Sequence, residues 1–273
     1  METKKIEEIQ KIEFEILKFI KSSCEKLNIH YYLAYGTLIG AIRHNGFIPW
    51  DDDIDIHMKR EDYVVFLEYM KKNPHPYYKL ISYETDENFT APLPKVIDSR
   101  FELIQDYGFV EKVPLGPYVD IFILDGAGDT INEAKKTYNE AYSIYRKWMR
   151  AATQTFSNKK RMRSLLLGIK HIPEKIRGIN YWLKKIDDFC TLKSVCSSKY
   201  IGALSAGTPN PLENIWKKED FGEGKLVRFN SELFTIPVNY DVVLKSGYGD
   251  YMTLPKEKYR ISHHKYTLKM KKR

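Results

Sequence analysis

The sequence has few cysteines and no long apolar run, and each shortage argues against a class of protein. Three cysteines in 273 residues, without CxxC spacing, argue against a disulfide framework or a zinc knuckle. Charged residues or glycines interrupt every apolar run well before the roughly 18 residues that a membrane span needs. The amino terminus leads directly into a charged helical pattern and shows no secretory signal. We therefore expect a soluble, cytoplasmic protein.

Positive charge is scarce in the first half of the chain and abundant in the second. Residues 1–130 carry a net charge of −8, and residues 131–273 carry +16. This asymmetry suggests an acidic half that attracts a metal ion and a basic half that meets an anion. The anion could be a phosphorylated substrate, a nucleic acid or an acidic membrane surface. A lysine-rich, solvated surface is the alternative interpretation of the basic half.

Hydrophobic periodicity predicts a mixed fold. Helices are predicted over 5–27, 61–72, 132–150 and 181–190, and strands over 31–35, 53–58, 77–83, 95–97, 101–104, 118–124, 225–229 and 233–236. Predicted strands are concentrated in the first part of the sequence and predicted helices follow them. This order indicates an α+β protein, with a mixed sheet flanked by helices and a more helical, basic C-terminal part. We place a boundary near residue 130, between a catalytic core (1–130) and a part that completes it (131–273).

The most informative segment is WDDDIDI (50–56), in which acidic residues alternate with isoleucines. On a strand, residues two apart point to one face, so Asp53 and Asp55 present adjacent carboxylates. Adjacent carboxylates repel unless a cation lies between them, and their hard oxygens suit Mg²⁺ or Mn²⁺. Asp51 shares this face if the strand begins earlier. A solvated acidic turn would explain Asp51 and Asp52, but not the alternation that follows.

Two further features fit phosphoryl-transfer chemistry. Asp120 lies among apolar residues in a strand pattern, where a charge needs a partner, and a shared metal ion would supply one. Asp125, beside Gly126, is predicted to be a turn residue. Gly36 and Thr37 lie at a strand-to-helix junction, where backbone N–H groups and a hydroxyl could hold a phosphate.

Three stretches of the chain resemble LicD-family phosphotransferases, which are related to fukutin and belong to the nucleotidyltransferase-fold superfamily. The stretches are AYGTLIGAIRHNGFIPWDDDIDI (34–56), YVDIFILDG (118–126) and IPVNYDVVLKSGYGDYMTLP (236–255). The first is long and specific, whereas the region of about 130–210 contributes little. Threonine stands at position 37, where the wider superfamily has serine, and this is a mild departure.

The resemblance implies a metal-dependent enzyme that moves phosphocholine from CDP-choline to a sugar hydroxyl of a surface glycan and releases CMP. The acceptor would be a precursor of teichoic acid, lipopolysaccharide or capsule, built on a membrane lipid. Asp53, Asp55 and Asp120 are the expected catalytic residues and ligands of Mg²⁺ or Mn²⁺. Asp120 would activate the acceptor hydroxyl or accept its proton. The candidate substrate-binding residues are Gly36, Thr37, Arg43, Asp51 and Lys95.

Other functions remain open at this stage. Transfer of phosphoribitol or phosphoglycerol would keep the fold, and so would direct nucleotidyl transfer. A trimethylammonium group would favour an aromatic cage, for which the candidate side chains are Tyr31, Tyr32, Tyr35, Trp50, Tyr248 and Tyr251. A non-enzymatic nucleic-acid binder is the alternative of another class. Its basic segment would lack interleaved aromatic residues for base stacking, and we expect no nucleic-acid partner.

The basic segment 158–177 raises the question of a membrane contact. Its apolar residues Leu165, Ile169, Ile172 and Ile176 recur at helical spacing among seven basic residues. This pattern is typical of a helix in an anionic interface, interrupted here by Pro173. A helix packed on the protein's own core, with a solvated basic face, is an equally good interpretation. The expectation is a peripheral contact at the inner face of the membrane.

Overall fold

The computed structural model describes residues 2–105, 113–153, 171–262 and 266–271. The α-helices are α1 (Glu2–Leu27), α2 (Tyr35–His44), α3 (Arg60–Lys72), α4 (Ile131–Ala152), α5 (Ile172–Arg177), α6 (Ile179–Cys190) and α7 (Tyr240–Tyr248). The strands are β1 (Tyr32–Leu33), β2 (Ile54–Lys59), β3 (Tyr78–Ile81), β4 (Lys95–Asp98), β5 (Phe101–Gln105), β6 (Tyr118–Gly128), β7 (Tyr200–Gly202), β8 (Ile215–Lys217), β9 (Lys225–Phe229), β10 (Glu232–Ile236) and β11 (Tyr266–Met270).

A seven-stranded mixed sheet organises these elements. Its order is β1-β2-β6-β4-β3, and β7 pairs with β6 and in turn with β8. The strands β2 and β6 run parallel, while the other pairs in the sheet are antiparallel. Two further antiparallel pairs join β9 to β10 and β5 to β11. The predicted mixed sheet flanked by helices is confirmed.

The main core lies between α1 and one face of this sheet. The apolar stripe predicted for α1 is buried at Ile16, Leu17 and Ile20, and these side chains belong to one cluster with Ile54 and Val119. Because side chains alternate along β2, Ile54 and Ile56 enter this core and Asp55 faces the other way. Asn28 ends α1 with a φ of 54°, in the left-handed conformation that suits asparagine after a helix.

A second core joins α4 to α6, with Tyr138, Trp148, Trp182 and Leu183 among its buried residues. The main sheet includes β7 and β8, both of which come from the basic half of the chain. The strands of the sheet thus come from both sides of residue 130. The division into parts at that residue stays a prediction.

Several boundaries differ from the sequence-based expectations, and two of them lie close to the site residues. The strand predicted over 118–124 is longer in the structure, because β6 continues through Gly126 and Gly128 and pairs there with β7, with a register irregularity between these glycines. Tyr35, predicted to end a strand, instead begins α2 with a φ of 43°. Of the basic segment, residues 158–170 lie outside the described residues. None of the described helices is both long enough and apolar enough to cross a bilayer.

Candidate active site

Strand register brings three of the predicted site residues side by side. In the parallel pair β2–β6, Asp55 lies opposite Asp120, and in the antiparallel pair β4–β6, Asp120 lies opposite Lys95. The Lys95 ammonium forms an ion pair with the Asp120 carboxylate and lies 3.7 Å from the ring centroid of Tyr118. Both partners are buried. Lys95 and Asp55 lie 25 and 65 positions before Asp120 in the sequence. The three residues nevertheless form one row across the neighbouring strands β4, β6 and β2.

The loop before β2 adds further carboxylates. One potential ligand oxygen each from Asp51, Asp52 and Asp53 lies within 4.8 Å of the other two. We call Asp51, Asp52, Asp53, Asp55 and Asp120 the acidic centre. Oxygen ligands at this spacing fit a hard divalent cation, which would offset their mutual repulsion.

The amino-terminal turn of α2 is fastened to the acidic centre at two points. The Thr37 hydroxyl accepts a hydrogen bond of 2.9 Å from the backbone N–H of Asp55. Gly36 lies so close to Asp51 that a Cβ there would be 2.6 Å from the Asp51 carboxylate. Ala34, which precedes α2, offers no polar side chain to cap it. This helix end therefore lies directly against the carboxylates of the acidic centre.

Burial and repulsion act on the acids of this region. Burial raises the pKa of Asp55 well above its usual range, and the charges of Asp53, Asp120 and Asp51 raise it further, while Lys95 opposes them. A cation would reverse this effect because it stabilises the ionised carboxylates. The residues present therefore fit Mg²⁺ or Mn²⁺.

Glu13 is an acid near this centre that sequence reasoning missed. It lies on α1 and is buried, and its Oε2 has no hydrogen-bond partner. Burial raises the pKa of Glu13 well above its usual range, and the negative charges of Asp53 and Asp52 raise it further. The available signal was its position in the apolar stripe of α1, between Ile9 and Ile16. A charged residue in a buried stripe needs an explanation.

Two other acids differ from the expectations. Asp52, which a solvated turn would expose, is buried and accepts a 2.6 Å hydrogen bond from the Ser262 hydroxyl. Asp125, predicted to be a turn residue, is buried within β6, where both of its oxygens accept hydrogen bonds from Arg60 at 2.7 and 2.9 Å. The turn interpretation of Asp125 was wrong because the strand continues past Gly126 to pair with β7.

Arg43 lies apart from the other predicted site residues. It stands in the last turn of α2, about 9 Å along the helix axis from Thr37. Its guanidinium donates a hydrogen bond of 2.5 Å to the backbone carbonyl of Tyr251. Burial, followed by repulsion from Arg260, lowers its pKa. The structure therefore places Arg43 against the segment after α7.

A cavity of about 330 Å³ opens beside the acidic centre, and Asp55 is one of its walls. Four aromatic side chains line it, namely Tyr35, Phe122, Trp216 and Tyr248. His57, two residues after Asp55 on β2, is a fifth ring on its wall and is fully buried. Burial lowers the pKa of His57 to about 3, and neither of its ring nitrogens has a hydrogen-bond partner.

Comparison with known proteins agrees with this architecture. Residues 28–161 match the family described as LicD/FKTN/FKRP, nucleotidyltransferase domain. The lipopolysaccharide cholinephosphotransferase LicD of Haemophilus influenzae is 30% identical over 95% of this chain and 96% of its own length. The ribitol 5-phosphate transferases FKRP of human and mouse are each 38% identical over 48 residues, which cover 18% of this chain and 10% of theirs.

The match to LicD extends over nearly the whole of both chains, well beyond the matched domain. The five residues of the acidic centre all lie within residues 28–161, the part of the chain that matches the family model. The chain therefore belongs to the LicD family of phosphotransferases.

Proposed function

We propose that this enzyme transfers phosphocholine from CDP-choline to a sugar hydroxyl of a cell-surface glycan, with Mg²⁺ or Mn²⁺ as cofactor. The observation that carries the proposal is the row of Asp55, Asp120 and Lys95 across three strands, beside the carboxylates of Asp51 and Asp53. The similarity to a lipopolysaccharide cholinephosphotransferase supports the choice of donor and of acceptor class. A precursor of lipopolysaccharide, teichoic acid or capsule would be the acceptor.

The proposed reaction is a single displacement at phosphorus. A bond forms between the acceptor oxygen and the phosphorus that carries choline, and the bond from that phosphorus to the bridging oxygen breaks. CMP leaves with the bridging oxygen and its electron pair. A divalent cation held by Asp53 and Asp55 would neutralise the negative charge of the diphosphate. The amino terminus of α2, at Gly36 and Thr37, would hold a non-reacting phosphate oxygen through backbone N–H groups.

The chain's own residues would manage the proton of the acceptor hydroxyl. Asp120 is the candidate proton acceptor, because it lies opposite Asp55 on the neighbouring strand. Lys95 fixes the orientation of the Asp120 carboxylate through their ion pair. Protonation of Asp120 during the reaction would weaken that pair, and the nearby Asp55 would then help to balance the Lys95 charge.

Transfer of phosphoribitol from a CDP-linked donor is the second candidate. The local similarity to ribitol 5-phosphate transferases favours it, and phosphoglycerol is a related possibility. That similarity covers 48 residues, whereas the similarity to the cholinephosphotransferase covers 95% of the chain. We therefore rank choline first.

The test measures CMP release from CDP-choline, CDP-ribitol and CDP-glycerol with a glycan acceptor, and identifies the product by mass spectrometry. We expect CDP-choline to be used best, phosphocholine to appear on the sugar, and EDTA to stop the reaction until Mg²⁺ or Mn²⁺ is restored. Faster use of CDP-ribitol or CDP-glycerol would make the second candidate correct. Full activity in EDTA would contradict the role of the metal.

We also propose that the enzyme is cytoplasmic and touches the inner face of the membrane through α5. Ile172 and Ile176 lie one turn apart on this helix and are 46% and 80% exposed, near Lys175 and Arg177. Exposed apolar side chains beside basic ones suit an anionic interface.

Vesicle co-sedimentation tests this contact. The wild-type protein should bind vesicles that contain anionic lipid, release them in high salt and ignore neutral vesicles. Replacing both isoleucines with serine should weaken binding. The matched control is Leu192→Ser, which alters another exposed apolar residue beyond the carboxyl end of α6. Equal binding by the control and the double variant would contradict the contact.

A further inference from the structure

We propose that the cavity beside Asp55 binds the quaternary ammonium group of the donor, an inference that rests on the proposed function. The cavity walls include the rings of Tyr35, Phe122, Trp216 and Tyr248. Aromatic faces attract a cation that carries no hydrogen-bond donors, and a cage of such faces replaces its hydration shell. We call this space the aromatic cavity.

The charges around the aromatic cavity favour a cation. Asp55 and Glu213 both line it, and none of the described lining residues is a lysine or an arginine. Such walls attract an ammonium group. Asp55 also belongs to the acidic centre, so the cavity begins where the reacting phosphate would be held. A head group joined to that phosphorus by a two-carbon spacer can therefore reach the rings without leaving the site.

The polar groups on the wall are less suited to a polyol. The Asn214 side chain accepts a hydrogen bond from the Tyr35 hydroxyl and donates to the Thr208 hydroxyl at 2.6 Å and to the Tyr138 hydroxyl at 3.1 Å. These groups are engaged with one another, so a sugar alcohol would find few of them available. Burying its hydroxyls without partners would cost binding free energy.

His57 gives independent evidence that this space holds a ligand. Its ring is fully buried, forms part of the cavity wall and has two nitrogens without hydrogen-bond partners. Its centroid lies 4.9 Å from that of Tyr35 and 5.2 Å from that of Trp216. A buried polar atom without a partner points to an absent group. The polarised methyl groups of a quaternary ammonium are weak hydrogen-bond donors, and an imidazole nitrogen can accept hydrogen bonds from them.

The experiment compares donor selectivity in three variants of the full-length protein. Tyr248 is 47% exposed at the end of α7 and Glu213 is only partly buried, so neither substitution disturbs the core. Tyr248→Leu and Glu213→Gln should each lower the ratio of kcat/KM for CDP-choline to that for CDP-ribitol by about tenfold. Tyr248→Phe keeps the ring and should retain the wild-type ratio. Tyr181→Leu, at another exposed tyrosine, is the matched control.

An unchanged ratio in both Tyr248→Leu and Glu213→Gln would overturn the inference, and so would a loss in Tyr248→Phe equal to that in Tyr248→Leu. Calorimetric titration with tetramethylammonium separates this inference from the proposed function. Wild-type binding that Tyr248→Leu weakens would support the cavity even if no CDP-linked donor released CMP. Turnover of CDP-choline without any binding of tetramethylammonium would leave the proposed function standing and reject the cavity.

Discussion

Strand β6 carries two buried aspartates five residues apart, and they lie in very different surroundings. Asp125 forms a two-point ion pair with Arg60, which also donates a 2.8 Å hydrogen bond to Asp187. We call these three residues the Arg60 network. Asp120 instead forms an ion pair with Lys95 and lies opposite Asp55 on the neighbouring strand. The charges of Asp53 and Asp51 act on the Asp55 carboxylate.

The difference lies in how the acids are grouped. In the Arg60 network, both oxygens of Asp125 are hydrogen-bonded and the guanidinium joins the two acids. The acidic centre gathers five carboxylates on β2, β6 and the loop before β2, with the unpartnered atoms of Glu13 and His57 nearby. A buried ion pair is thus a poor indicator of function, whereas a cluster of like charges is a good one. The comparison predicts that acids of the centre serve activity and those of the network serve stability.

The largest effect should follow from removing one carboxylate of the acidic centre. Asp53→Asn and Asp55→Asn should each reduce turnover by roughly a thousandfold or more, because each takes away a cation ligand. The melting temperature without metal should stay the same or rise, since repulsion among the acids is relieved. Turnover assays at saturating Mg²⁺ and thermal unfolding check both outcomes. The control is Asp188→Asn, on the exposed side of α6. Near-normal turnover in either variant would remove that residue from the site.

A crossed pair of variants on β6 tests the comparison directly. Asp125→Asn breaks the two-point pair with Arg60 and should lower the free energy of unfolding by about 3 kcal/mol. Its turnover per folded molecule should change little. Asp120→Asn should reduce turnover by roughly a hundredfold while the donor still binds in part. Urea unfolding, donor titration and CMP release measure these effects. If Asp120→Asn lost activity only in proportion to its loss of folded protein, Asp120 would be structural like Asp125.

Sequence patterns were informative where they repeat locally. The alternation of acids with isoleucines predicted β2, although the strand begins at Ile54 and leaves Asp53 in the preceding loop. The stripe of α1 predicted the helix that covers the core. The local pattern could not reveal the partner of Asp125, because Arg60 is 65 residues away and is brought to it by the packing of α3 against the sheet. Glu13 was missed for the same reason. Its neighbours lie about forty residues further along the chain, and no spacing rule connects a helix to a loop at that distance.

The pH dependence of stability should identify the buried histidine beside the acidic centre. The pKa of His57 is about 3 in the folded protein and about 6.5 when the chain is unfolded, so the unfolded state binds the proton first on acidification. The contribution of His57 to the free energy of unfolding is therefore fully present above pH 6.5 and is lost as the pH falls below that value. Between pH 7.5 and 5 the loss should be about 2 kcal/mol.

Between pH 7.5 and 5, the free energy of unfolding of His57→Phe should fall by about 2 kcal/mol less than that of the wild type. Urea unfolding at both pH values measures this difference. Acids with raised pKa values, such as Asp55 and Glu13, act in the opposite direction, so the difference between variant and wild type isolates the histidine. Equal acid sensitivity of wild type and His57→Phe would show that His57 is solvated.

The smallest expected effect concerns how the acidic centre is held in place. Thr37→Val removes the hydroxyl that accepts the Asp55 N–H, keeps the side-chain volume and leaves that buried donor unpaired. We expect a loss of about 1–2 kcal/mol in the free energy of unfolding. Turnover should fall by a larger factor than the fraction of unfolded protein, because the backbone of Asp55 is no longer fixed. Thr37→Ser restores the acceptor and should recover most of both losses. If valine and serine behaved alike, the hydrogen bond would contribute nothing, and the packing of β2 against β6 alone would position Asp55.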